Sequence, residues 1–94
     1  MVDYLMNRLK DVSFLKDIIT NKDLSNNAKI LYVNLALKEQ ELNSLKIEIN
    51  LEDICLLLNC GKNVASKTIK ELELKGFIKV KRRGLGMCNT YELL

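Results

Sequence analysis

Between Asn50 and Gly76 the sequence spells two amphipathic helices with only three residues, Asn59, Cys60 and Gly61, left to turn between them. So short a corner makes the helices cross at a steep angle and share one apolar seam, which limits the chain to folds built round an angled helix pair. Asn50 and Asp53 resemble a capping pair, so the first of these helices is expected from Leu51, with Ile54, Leu57 and Leu58 facing inward. It runs for two turns and stops at Asn59, a residue type that tolerates the left-handed conformation of a tight turn. Cys60 is expected to tuck beneath that turn, and Gly61 takes the next N-cap position. A longer helix then runs from Lys62 to about Lys75, with Ala65, Thr68, Ile69 and Leu72 on its core face and Gly76 just past its end.

The flanking segments complete the pattern. Leu5, Leu9 and Val12 sit at helical spacing among Asp3, Asn7, Arg8 and Lys10, predicting a short amphipathic helix over Val2 to Val12. Phe14 to Ile19 is a compact apolar stretch whose form the spacing does not decide. Ser25 is the expected N-cap of a helix that places Ala28, Leu31, Tyr32 and Leu35 on one face and fades between Glu41 and Ser44. Leu45, Ile47 and Ile49 alternate with Lys46 and Glu48, the period of a strand. After Gly76, Phe77, Ile78 and Val80 open a second strand, Arg83 to Gly86 supply turn residues, and Cys88 to Leu93 can return as its partner. Helix, strand, helix, tight turn, helix and basic hairpin is the order of a winged helix-turn-helix, an α+β fold whose last helix enters the DNA major groove. The expected layout is a single domain over 1–94: an N-terminal helical extension at 1–20, the first core helix within 24–44, the helix-turn-helix at 50–75 and a two-stranded wing at 77–94.

Composition narrows the chemistry. With 94 residues, 48% of them apolar and 29% charged, the chain has material for one modest core. No run approaches 18 apolar residues, and the N-terminus carries Asp3, Arg8 and Lys10, so neither a membrane span nor a secretory signal is expected; the expected location is the bacterial cytoplasm. Histidine is absent, which removes the commonest general base and metal ligand. Cys55, Cys60 and Cys88 form no Cys-x-x-Cys motif and read as free thiols. No enzyme activity, cofactor or metal site is expected. Charge is uneven: the first fifty residues balance seven bases against seven acids, whereas Cys60 to Gly86 hold eight bases against Glu71 and Glu73. A local excess of +6 within a net charge of +3 suits a polyanionic partner.

Several stretches resemble the N-terminal domains of plasmid replication initiators of the RepA_N type. Leu24-Ser25-Asn26-Asn27-Ala28-Lys29-Ile30-Leu31-Tyr32 is similar to their opening helix, and Leu57-Leu58-Asn59-Cys60-Gly61-Lys62-Asn63 to their helix-turn-helix corner. Lys70-Glu71-Leu72-Glu73 with Gly76-Phe77-Ile78 resembles the end of their recognition helix, and Arg82-Arg83-Gly84-Leu85-Gly86 with Asn89 their wing. The resemblance covers about Phe14 to Leu93 and implies duplex DNA as partner. It departs from the family at Gly61, where a serine is usual, and at Leu56 and Leu74, where charged residues are usual. Those initiators continue into a C-terminal domain that this sequence does not contain. In size and architecture the chain is also similar to TubR-like centromere-binding proteins. The expectation is therefore a sequence-specific double-stranded DNA-binding protein of a plasmid or phage, acting as a dimer on repeated sites as a centromere-binding partition adaptor or small transcriptional regulator. A replication-initiator DNA-binding module and a winged-helix interaction module without DNA are the alternatives, and a partition filament protein or a replication protein is a candidate partner.

Within that reading, Lys62, Asn63, Val64, Ser66 and Lys67 fall away from the core face of the third helix, with Lys70 one turn on. Asn63 carries the amide that pairs with adenine, Val64 suits a thymine methyl, and Lys62 and Lys67 suit phosphates. On the wing, Lys79 and Lys81 share one strand face, while Arg82 and Arg83 are expected at the tip, where arginine enters a narrow minor groove. Leu5, Leu9, Leu56 and Leu74 are candidates for a homodimer surface.

Overall fold

The computed structural model describes residues 12–82, 84 and 88–94. Its elements in chain order are α1 (Val12–Ile19), α2 (Asn26–Leu42), β1 (Ile47–Ile49), α3 (Leu51–Leu58), α4 (Lys62–Leu74), β2 (Ile78–Lys81) and β3 (Asn89–Leu93). The undecided stretch from Phe14 to Ile19 is thus helical, while the helix expected over Val2 to Val12 lies, apart from Val12, outside the described residues.

Local chemistry sets the helix boundaries. The Ser25 hydroxyl accepts from the Ala28 amide at 3.1 Å, and Asn50 Oδ1 accepts from the Asp53 amide at 2.7 Å, so both residues cap as their side chains suggest. Asn43 ends α2 and Asn59 ends α3, each in the left-handed conformation with φ 49° and 52°. After α4, Gly76 takes φ 81°, and the Phe77 amide donates to the Leu72 carbonyl at 2.9 Å, closing the helix as the glycine predicted.

The sheet holds more than the wing. Its order is β1-β3-β2, all antiparallel, with Ile47 opposite Tyr91 and Val80 opposite Tyr91 on the other side. The expected two-stranded hairpin is present, and β1 adds a third strand to it. Leu45, expected within that strand, lies outside it and is exposed. The Ser44 hydroxyl there bonds both the amide and the carbonyl of Lys46 in a local turn.

Tyr32, Leu31, Leu35, Ile47, Ile54, Leu72, Ile78 and Tyr91 are all fully buried and join helices and sheet in one core. Phe77 meets Tyr32 edge to face, with ring centroids 5.8 Å apart, and so fastens the entry to β2 against α2. Burial pushes the Tyr91 phenol above its ordinary pKa, as expected of a hydroxyl inside this core. Small Ala65 and Thr68 are both buried on the core side of α4; the Thr68 hydroxyl donates back to the Val64 carbonyl at 2.8 Å rather than being left unpaired.

Candidate nucleic-acid interface

The corner before α4 is a pair of backbone hydrogen bonds. Cys60 N–H donates to Cys55 O at 3.0 Å and Asn59 N–H to Leu56 O at 3.3 Å, the double closure that a left-handed residue permits. Gly61 follows in extended conformation as the N-cap of α4 and offers no side-chain cap. The first amides of α4 are therefore not covered by a capping side chain.

Three stripes run along the outward side of α4. Asn63, Lys67, Lys70 and Leu74 follow the i, i+4, i+7, i+11 spacing of a single line, and all four are exposed. Lys62, Ser66 and Glu73 flank that line on one side; Val64, Glu71 and, just past the helix end, Lys75 flank it on the other. Each flank is tied to a different part of the molecule. Glu71 accepts from the Ser25 amide and from the Ser25 hydroxyl, both at 2.7 Å, and Lys75 lies 3.6 Å away. Lys75 also donates to the carbonyl of Asp23. Burial would raise the Glu71 carboxyl, but the two Ser25 bonds and the Lys75 ammonium outweigh it and hold the group below the usual carboxylate range. On the other flank Glu73 receives both terminal nitrogens of Arg82, at 3.0 and 3.1 Å, and those bonds lower the Glu73 pKa.

The wing leaves β2 with Ile78 buried, Val80 half-buried, and Lys79 and Lys81 exposed on the opposite face. That outer face is mixed in charge. Lys79 stands across from Glu92 and Lys81 across from Thr90, while Lys46 and Glu48 line the same shallow depression from the β1 side.

Solved structures resemble this chain in overall fold. The structure of a Rep–DNA complex matches with a TM-score of 0.64 and 28% identity, over 84% of this chain and 70% of that one. The N-terminal domain of a DNA-binding protein matches with a TM-score of 0.58 and 29% identity, over 78% of this chain and 63% of that one, so this chain spans less than two thirds of the second. No family model and no curated protein matches.

The chain is a winged helix-turn-helix. Its architecture resembles the N-terminal domains of replication initiators, and α4 stands where such a fold carries its recognition helix.

In the winged helix the sequence-predicted residues separate into groups. Lys62, Asn63, Ser66, Lys67 and Lys70 share a continuous face. Val64, 42% exposed, stands across the central stripe from Ser66, so the two do not face the same way. Arg82 does not stand free at the wing tip as expected, because its fork is engaged by Glu73 at the end of β2. Arg83 lies outside the described residues. Lys79 and Lys81 share a face as expected, but that face also carries Glu48 and Glu92.

The candidate dimer leucines also part company. Leu5 and Leu9 lie outside the described residues. Leu56 and Leu74 are 79% and 85% exposed, yet Leu56 lines a hollow with Gly61 and Lys62 at the start of α4, whereas Leu74 is its last residue. A thirteen-residue helix puts about 18 Å between its two ends, so these leucines belong to separate patches. Leu56 joins Leu42 and Leu57; Leu74 continues the stripe of Lys67 and Lys70.

The sequence reading missed Glu71 and Glu73 as structural partners. Their only signal was that they are two acids in an otherwise basic stretch. Among the described residues there is no group of three potential metal ligands, and no helix is long and apolar enough to cross a membrane.

Proposed function

We propose that this chain binds duplex DNA in a sequence-dependent manner, with α4 in the major groove and the wing beside it, and that it does so without catalysing a reaction. The observation that carries the reading is the exposed stripe of Asn63, Lys67 and Lys70 on the second helix of the tight corner, flanked by Lys62 and Ser66. Lysines there supply attraction to phosphates, and Asn63 supplies the amide for base readout. Likeness to a Rep–DNA complex supports the same partner.

Among possible outputs, that likeness favours the DNA-binding module of a replication initiator, or a protein reading the same kind of site. The partition-adaptor and small-repressor readings share the DNA chemistry and differ in the protein that follows. Two copies on repeated half-sites are part of the proposal, with exposed Leu42 and Leu56, in a hollow also lined by Lys38, Glu41, Glu48 and Asp53, available to a second chain.

Fluorescence anisotropy at physiological salt tests it, comparing duplex DNA that flanks the coding sequence with scrambled duplex of equal length. A preference of about a thousandfold supports a specific reader. Absence of binding to either duplex at low salt would overturn the proposal in favour of a protein-interaction module.

A further inference from the structure

The two carboxylates in the basic stretch have different tasks. Glu71 fastens α4 to the start of α2. Glu73 sits on the flank of α4 that carries Lys62 and Ser66, where bare electrostatics would count an acid against a polyanion. Its position makes sense through Arg82. The two residues are nine apart in sequence, at the last turn of α4 and just past the end of β2, with Gly76 and Phe77 forming the bend between. Two parallel bonds of 3.0 and 3.1 Å join them as a planar fork on a carboxylate, a geometry that fixes direction as well as distance. Side chains 32% and 51% exposed make a pair of this kind a weak contributor to global stability. As a brace across the bend it is well placed: chain connectivity holds the near end of β2 to α4, and the pair holds the far end.

We infer that Glu73 is a positioning residue, which by gripping Arg82 sets the angle between the wing and α4 so that both elements meet one duplex together. This deepens the DNA-binding reading and rests on it. It also carries an unusual sign. An acid acting only by charge weakens DNA binding, so its removal tightens it; an acid acting as a brace does the reverse.

The test uses the full chain, with Glu73→Gln and the swapped pair Glu73→Arg/Arg82→Glu beside the unaltered protein. Thermal unfolding establishes that each variant is folded. In anisotropy titrations Glu73→Gln is expected to bind duplex DNA about fivefold more weakly, the size of a modest coupling between touching groups. The swapped pair, with unchanged net charge and a restored brace, is read by hydrogen exchange and not by DNA binding, because Arg82 is itself a wing residue expected to meet DNA. Unchanged or tighter binding by Glu73→Gln would overturn the inference. Hydrogen exchange at the amides of Lys79 to Arg82, read without DNA, is expected to quicken severalfold in Glu73→Gln and return in the swap; unaltered exchange overturns the brace. If the unaltered chain binds no duplex, the functional reading fails, and the exchange measurement alone decides the brace.

Discussion

Asn59 holds φ 52° and ψ 52°, a conformation that residues other than glycine, asparagine and aspartate find costly, and the angle between α3 and α4 depends on it. Asn59→Ala is expected to destabilise the fold by about 1 kcal/mol, whereas Asn59→Gly should be nearly neutral; urea unfolding distinguishes them. Two residues on, Gly61 is extended at φ −82°, and a Cβ added there meets nothing within 4 Å. Gly61→Ser should therefore gain a few tenths of a kcal/mol by capping α4, read from the same unfolding curves. On the exposed stripe, Lys67→Ala should weaken binding on every DNA sequence and reduce the slope of log K against log salt by about 1. Asn63→Ala should instead cost about 1–3 kcal/mol at one base position and little elsewhere, measured by competition between single-base variants of the site. The caps were legible in the sequence because each acts within a few residues: Ser25 on Ala28, Asn50 on Asp53, Gly76 at its own φ. The grips of Glu71 and Glu73 were not, since they close over 46 and 9 residues and nothing in the spacing names their partners.

Elements were read more surely than their neighbours. Alternation at Ile47 and Ile49 announced a strand, but a period of two says nothing of which strand lies alongside, and only the structure pairs β1 with β3. The face of α4 was legible from Ala65, Ile69 and Leu72, yet the wing's side of that helix emerges only through Arg82. At this scale the tie between α4 and α2 has a pH signature. Glu71 is held below the usual 4.5 in the folded chain, so the unfolded chain binds the proton more readily as pH falls. Its stabilisation is full above that usual value and fades as pH drops through the lower, folded one. Melting temperature followed from pH 7 to pH 3 should therefore fall less steeply in Glu71→Gln than in the unaltered chain, starting from a lower value at pH 7.

Taken whole, the molecule has an exposed basic stripe and a separate hollow of mixed lining, with Leu42 and Leu56 exposed among Lys38, Glu41, Glu48 and Asp53, that does not extend to Leu74. If the paired state uses that hollow, Leu56→Glu should leave a monomer by sedimentation while binding to an isolated half-site stays intact; Leu74→Glu, on the stripe of Lys67 and Lys70, should weaken DNA binding instead. The sheet order carries one more consequence, in the dimension of time. Among the described residues β3 is the last strand in sequence and the middle strand of the sheet, so β1, made some forty residues earlier, lacks this partner until Asn89–Leu93 arrive. During synthesis, at about 5–20 residues per second, Ile47 and Ile49 wait for seconds with an open edge, and the helices must shelter them. The final strand acts as a keystone, and a chain cut short before Asn89 would lose both of its sheet pairings at once.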